Sequence, residues 1–568
     1  MVEKKVLKAI SSKSSDEFYS PVPKNFVKGK TKFIFVTGSV MSGLGKGIFT
    51  ASLGRLLVDR GLKVRPMKLE AYLNVDSGTI NPYRHGEVFV LDDGTETDMD
   101  LGTYERFLDI TLDKNSFVTS GRIYKNVIEK ERRGEYLGRD VQFIPHVTGE
   151  AKLAVLNLAA SSKADVVLVE IGGTVGDYEN LFAIEAMREL AFQLGKENVC
   201  FVNLTFVLEP KHAGEFKSKA AQLGLRKLLE LGITPDVIVC RSQNQIPEKI
   251  KEKISMNSGV QMNRVFALPD IDNIYKIPLF LRKQGVDEKI LEVLELSKKF
   301  KANGSKSLKS WTAKNLIPER KPVTIGIVGK YTGLHDAYIS ILKALEHCAA
   351  KSKTPFRLEW IESANLEKPG GENALKRIDG MIIPGGFGSR GVEGKISAVK
   401  FAREKKIPFL GLCYGFQMAV IEHARNACGL KNANTTEVDA KTPSPVICIL
   451  PEQDEIEDLG GTMRLGGFDV LISPKTIAHS LYGSLKARER FRHRFNVNTE
   501  FIGALEKNGM VFSGKAPKKR IMQILELSKE AHPFFVASQF HPELTSRPLK
   551  PNPLFLGFYS ACRKKAGL

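Results

Sequence analysis

The sequence predicts an α/β protein made of two halves, the first built on a parallel sheet, and three observations carry the prediction. Short β-branched apolar runs alternate with amphipathic helical stretches, each run bounded by turn residues, as in a parallel sheet covered by helices. A lysine- and serine-rich stretch without periodicity, "LSKKFKANGSKSLKSWTAKNLIPERKP", divides the alternation into two series. At 568 residues the chain also exceeds what one hydrophobic core usually organises.

Residues 1–31 are basic and serine-rich. They include Asp16 and Glu17 and hold no apolar core of signal-peptide length, so they read as a flexible lead, not a targeting signal. Residues 32–296 carry the strand-like runs "KFIFVT", "LKVRPMKL", "DVVLVEI", "VCFVNLTFV" and "DVIVCR", an N-terminal P-loop-like parallel-sheet domain. Residues 297–322 read as a solvated linker. Residues 323–568 form a C-terminal α/β domain that opens on "VTIGIVG" and continues through "DGMIIPGGFG" and "IPFLGLCYGFQMAV".

No apolar run approaches the roughly 18 residues a spanning helix needs. Lys plus Arg number 84 and Asp plus Glu 64, a surplus of +20 that could attract nucleic acid, anionic membrane or nucleotides. Few aromatic residues interleave with the most basic tracts, which disfavours a nucleic-acid-binding scaffold. Seven cysteines, spread thinly and odd in number, argue for a reducing compartment, with the cytoplasm as the expected location.

"GSVMSGLGKG", residues 38–47, follows the first strand and precedes a helical stretch. It resembles a phosphate-binding loop but has Val40 where the Walker pattern wants its first glycine, and Gly47 where it wants a magnesium-binding hydroxyl. The amides of Ser42, Gly43, Leu44, Gly45, Lys46 and Gly47 at a helix start would still cradle phosphate, and Lys46 would neutralise it. The metal must then come from carboxylates. "VFVLDDGTETDMD" ends in Asp100, and "DVVLVEI" ends a buried strand with Glu170, a Walker B arrangement suited to magnesium. The plain alternatives are a glycine-rich turn and a solvated acidic face. Glu170 resists the second, because an ionised carboxylate after five apolar residues is costly to bury unpaired.

In the second half, "FLGLCYGFQ" sets Cys413 between Gly411 and Gly415, at a strand-to-helix turn of nucleophile-elbow type. The helix dipole there lowers a thiol's pKa. A lone cysteine is more often a buried small hydrophobe. "SQFHPELTS" changes the balance: His541 and Glu543 are two apart, so on an extended strand both face one side, where the carboxylate orients an imidazole that activates the thiol. "PGGFG" supplies backbone amides that, with that of Tyr414, suit an oxyanion hole.

On these motifs the second half resembles the class I glutamine amidotransferases. The resemblance implies a Cys413, His541 and Glu543 triad, Gly386 at the oxyanion, and Gln417, Glu437 and Arg494 on the glutamine substrate. "GLGKG", "NVDSGT", "HGEVFV", "YERF", "KERRGEYLG", "VEIGGTVGD" and "IYKIP" extend it: from about residue 32 to the end, the chain is similar to the CTP synthase family. That resemblance implies an ATP-dependent ligase that phosphorylates the 4-oxygen of UTP and displaces the phosphate with ammonia. The ammonia would come from glutamine through an internal passage. It implies ATP contacts at Ser42, Gly45, Lys46, Lys68 and Arg241, magnesium on Asp100 and Glu170, and UTP or inhibitory CTP on Ser42, Asp177, Glu179, Lys217, Lys219, Gln222 and Lys253. It further implies GTP as an activator with Arg390 on its lid, and a homotetramer.

The chain departs from the family pattern at Glu70-Ala71, where Asp-Pro is usual, at Tyr178, where a smaller aliphatic residue is common, and at Ala220-Ala221, where Pro-Thr is usual. An amidotransferase serving another acceptor, as in GMP synthesis or cobyrinate amidation, is the second enzyme reading. The domain order and the missing Ser-Gly-Gly-x-Asp-Ser loop weigh against GMP synthesis.

Overall fold

The computed structural model describes residues 19–210, 214–297, 305–330, 332–450, 453 and 461–568. Residues 1–18 of the expected lead and 298–304 of the expected linker lie outside the described residues. The chain divides into two compact units, Met1–Asp76 with Thr103–Ala313, and Ser77–Gly102 with Lys314–Leu568.

The first unit is built on β1 (Lys32–Gly38), β2 (Val64–Glu70), β3 (Phe117–Thr119), β4 (Val166–Ile171), β5 (Val199–Phe206), β6 (Val237–Ser242) and β7 (Val265–Pro269). Their order is β3-β2-β4-β1-β5-β6-β7, and every neighbouring pair is parallel. Central strands of such a sheet are covered on both faces, which is why β4, "VVLVEI", is buried at every position. β3 and β7 escape a sequence reading because one is too short to show a period and the other is a short run ending in proline. Strand order diverges on either side of β1, and the helix α1 (Lys46–Asp59) starts just past its carboxyl end, the place where open α/β sheets bind ligands.

Two expectations are corrected here. A helix, Ser305–Lys314, stands where a non-periodic solvated linker is expected. Its Leu308 and Trp311 are buried one turn apart, and Trp311 packs 5.7 Å from the ring of Phe107 and 5.6 Å from that of Tyr275, with the Arg55 guanidinium 5.3 Å over it. Two apolar residues among lysines are too few to raise a periodic signal, so composition hides the stripe. The lead is likewise anchored from Tyr19 onward. The Tyr19 hydroxyl donates to Glu150 Oε1 at 2.9 Å, its ring lies 5.2 Å from both Tyr136 and His146, and Thr31 Oγ1 donates to the Ala164 carbonyl at 2.8 Å.

The second unit carries β8 (Val323–Gly329), β9 (Phe356–Glu362), β10 (Gly380–Ile383), β11 (Phe409–Leu412), β12 (Arg464–Ile472), β13 (Lys486–His493), β14 (Met510–Lys515), β15 (Met522–Leu527) and β16 (Phe535–Ser538). They form one sheet in the order β9-β8-β10-β11-β16-β15-β14-β12-β13. Pairing is parallel from β9 to β16 and antiparallel beyond. Helices α2 (Val392–Glu404) and α3 (Tyr414–Asn426) lie on its parallel part, while α4 (Pro542–Thr545) follows β16 and packs against β13.

Ser77–Gly102, expected within the N-terminal domain, belongs to this second unit. Part of its acidic run is held in ion pairs. Asp92 pairs with Arg488 at 2.8 Å, and the buried Glu96 with Arg492 at 2.7 Å, both arginines on β13.

Trp311→Ala should lower stability by about 3–5 kcal/mol, the cost of emptying an aromatic core site. Urea unfolding followed by far-UV circular dichroism measures it; an unchanged midpoint would return the 305–314 segment to solvent.

Candidate active sites

The loop after β1 keeps the shape of a phosphate cradle without its usual glycine. Val40 takes φ +82°, a left-handed conformation that costs a β-branched residue about 1–3 kcal/mol. Gly45, at φ +78°, caps α1, so Lys46 and Gly47 form its first turn, where the helix start favours an anion. Lys46 Nζ donates to the Gly173 carbonyl and the Val175 amide donates to Gly38 O at 2.8 Å, which ties this loop to the one after β4. Arg241, at the end of β6, donates to the Leu44 carbonyl at 3.1 Å and pairs with Asp270 at 2.8 Å.

Glu170 is 1% exposed at the carboxyl end of β4. Lys68 is its register partner on β2 and places Nζ 2.8 Å from Oε1, while the Tyr104 hydroxyl donates to Oε2. This pairing offsets the burial cost that made Glu170 conspicuous. Among the described residues no group of three or more His, Cys, Asp or Glu side chains could hold a metal. Glu170 is the carboxylate at this end of the sheet that would hold a magnesium ion, a cation that favours carboxylate and phosphate oxygens. Asp100 lies in the first turn of the helix Met99–Leu108, its amide donating to Asp98 Oδ1 at 3.0 Å, and belongs to the second unit.

The residues expected around a pyrimidine nucleotide are spread over the segments after β4, β5 and β6. Asp177 follows β4 and accepts from the Thr174 amide at 2.7 Å; Glu179 and the exposed Tyr178 stand on the next turn. Lys217, after β5, and more weakly Lys253, on the helix Glu248–Ser258 after β6, hold the Glu215 carboxyl below its ordinary pKa. Lys219 opens the helix Lys219–Glu230, and Gln222 donates to Ser218 Oγ at 3.0 Å. Of the departures from the family pattern, Ala221 is buried.

In the second unit the elbow is realised. Cys413 takes φ +51°, ψ −94° between β11 and α3. A Cβ on Gly411 would lie 2.8 Å from the Gly415 carbonyl, and one on Gly415 2.2 Å from that of Ile383. The Cys413 thiol points to the Arg492 carbonyl at 3.5 Å and accepts from Gln539 Nε2 at 3.5 Å; Gln539 Oε1 in turn accepts from Gln417 at 3.4 Å.

His541 Nδ1 lies 2.7 Å from Glu543 Oε1, but the route to this pair differs from the extended strand expected. β16 ends at Ser538, and Pro542 starts α4, for which His541 is the cap. A proline with fixed φ begins a helical turn there, and the turn brings the carboxylate back to the imidazole. Burial by itself favours the neutral ring; the Glu543 carboxylate and the Cys413 sulfur outweigh it and raise the His541 pKa well above the ordinary histidine value.

A cavity of about 190 Å³ in this unit is lined by Gly386, Cys413, Gln417, Glu437, Arg494, His541 and Glu543. Glu437 accepts from the Gly388 amide at 2.6 Å, and burial raises its pKa. Arg494 donates to Thr462 Oγ1 at 2.7 Å. Arg390, largely exposed, donates to the Lys330 carbonyl at 2.7 Å.

Sequence reasoning missed Gln539, Gly385 and Tyr104. Gln539 stands two residues before His541 in "SQFHPE", just past the end of β16, and Tyr104 lies inside "YERF".

Two family descriptions match the chain: "CTP synthase N-terminus" over residues 32–296 and "Glutamine amidotransferase class-I" over residues 334–561. The CTP synthase of Carboxydothermus hydrogenoformans is 50% identical, covering 94% of this chain and 99% of its own length. This chain belongs to the CTP synthase family. The CTP synthases of Bacillus subtilis and Staphylococcus epidermidis are each 48% identical over 94% of this chain and 98% of their own lengths. With CTP synthase membership comes the reaction, a glutamine-hydrolysing ligation that converts UTP to CTP with ATP.

A Cβ on Gly385 would sit 2.9 Å from His541 Cε1 and 3.7 Å from Cys413 Cβ. Gly385→Ala should therefore push the imidazole from the thiol and lower glutamine hydrolysis at least about 100-fold, the scale of losing a general base. Glutamate release under saturating glutamine measures it; activity within about threefold of wild type would refute the packing argument.

Proposed function

We propose that the two units divide the amination of UTP between them, on the strength of one observation: Cys413 on its strained elbow shares a cavity with a His541 already paired to Glu543. The Cys413 thiolate attacks the carboxamide carbon of glutamine. The oxygen of that carbonyl takes the negative charge against the amides of Gly386 and Tyr414. His541, protonated, gives its proton to the leaving nitrogen, and ammonia departs as a thioester forms. Water, deprotonated by His541, then cleaves the thioester to glutamate and restores the thiol. Glu437 and Arg494 suit the amino and carboxylate groups of the substrate, and Gln417 its side chain.

In the first unit the loop amides from Ser42 to Gly47 and Lys46 take the ATP phosphates, with Arg241 bracing the loop. Magnesium, when bound at Glu170, screens phosphate charge; the role of Asp100 in metal binding rests on the resemblance alone. Lys68, held beside Glu170, would place its ammonium by the transferred phosphoryl group. Lys217, Lys219, Gln222 and Lys253 supply positive and polar groups for the triphosphate of UTP, and Asp177 and Glu179 for the base end, with CTP competing there. GTP activation with Arg390 on the lid follows the family.

A homotetramer is supported by the exposed apolar face of Leu73, Ile128, Phe143 and Ile144 in the first unit. A cytoplasmic location is supported by seven free cysteines and by the lack, among the described residues, of a helix long and apolar enough to cross a membrane.

Absorbance at the wavelength where CTP and UTP differ tests the division. Cys413→Ala should abolish CTP formation with glutamine and leave it within about twofold with ammonium chloride; equal loss with both nitrogen sources would refute separate centres. Glu170→Gln should depress both by at least about 100-fold, and raising magnesium should not restore them; retention of either activity would remove Glu170 from the phosphoryl centre.

A further inference from the structure

One buried cation in the second unit has no part in the chemistry so far. Lys395, on the first turn of α2, is 1% exposed. Its Nζ lies 4.7 Å from the centroid of the Tyr414 ring and 3.6 Å from the point where a Cβ of Gly386 would stand. Among the described residues it forms no ion pair. The surrounding loop is held firmly. The Tyr414 hydroxyl donates to the Gly388 carbonyl at 2.7 Å, Lys330 donates to the Phe387 carbonyl and to Gly388 O at 3.1 Å, and Glu437 accepts from the Gly388 amide. A cation on an aromatic face is stabilised by the ring quadrupole, which is how this charge is tolerated without a carboxylate in contact.

We propose that Lys395 is a positioning residue for glutamine hydrolysis: its ammonium, seated on Tyr414 behind Gly386, sets a positive potential at the back of the amides that receive the carbonyl oxygen. The proposal rests on the reading of Cys413 as the glutaminase nucleophile. Such a fixed charge favours the negative oxygen of the tetrahedral intermediate over the neutral carbonyl, so it acts on kcat more than on substrate affinity.

The groups that face Lys395 make its charge responsive. Burial pushes its amine down to about 7, and the neighbouring Lys330, beyond the end of β8, and Arg390, on the glycine-rich loop, push the same way. Glu362, at the end of β9, and Glu437 oppose them. A negative charge arising on the far side of Gly386 favours the ammonium form.

Lys395→Met, of similar length and neutral, tests this in the full-length protein. The expected result is a 10- to 100-fold fall in kcat for glutamine hydrolysis with KM changed by less than about threefold. Alkylation of Cys413 by iodoacetamide, a displacement that forms no oxyanion, should keep its wild-type rate. Lys395→Arg should recover most of the lost kcat. An unchanged kcat in Lys395→Met overturns the proposal, and so does slowed alkylation in both Lys395→Met and Lys395→Gln, which assigns the side chain to folding. Failure of the underlying reading looks different: the wild-type protein would then release no glutamate, or would release it equally after Cys413→Ser.

Discussion

A parallel strand can be followed by another only after the chain has crossed back over the sheet, so the loops that leave the carboxyl ends collect along one edge. Both candidate centres depend on that constraint. In the first unit β1 delivers the Ser42–Gly47 cradle, β4 delivers Glu170 and β6 delivers Arg241 to the same edge. In the second, β10, β11 and β16 deliver the glycine-rich loop, Cys413 and Gln539 with His541. Residues far apart in sequence thus meet through strand register: Lys68 opposite Glu170, Leu412 opposite Ser538.

Rigid sheets also carry the unfavourable terms these sites demand. Val40 and Cys413 both hold positive φ, each about 1–3 kcal/mol above a relaxed backbone. Glu170 and Lys395 are charged groups removed from water. The first is compensated by an ammonium and a phenol, the second by a ring face and distant carboxylates. Neither group is free to relax, which keeps its field in place while chemistry proceeds.

Much of this was legible in the sequence because the signals are local. Strong apolar runs announced five of the seven strands in the first sheet, and Gly-x-Cys-x-Gly announced the elbow because glycine is demanded by backbone approach. What stayed hidden depends on tertiary contact. Trp311 is one aromatic among lysines until Phe107 and Tyr275 enclose it. The Lys68–Glu170 pair exists only through register. Gln539 gains meaning only when β16 is laid beside β11. The His541–Glu543 contact arises at a helix cap and not on an extended strand, since an i,i+2 relation serves both equally well.

The acidic segment Ser77–Gly102 folds with the second unit although it is encoded between parts of the first, so the polypeptide passes between units at three places. Cleavage within 298–304 would leave that segment covalently on the N-terminal fragment while Asp92 and Glu96 stay clasped by Arg488 and Arg492 on the C-terminal one. A nicked molecule would therefore migrate whole on a sizing column and separate only in denaturant. A gene split at the same junction would also have to supply this segment in trans, because the cavity beside Cys413 takes part of its wall, Pro82, Glu87 and Val88, from the earlier half of the reading frame.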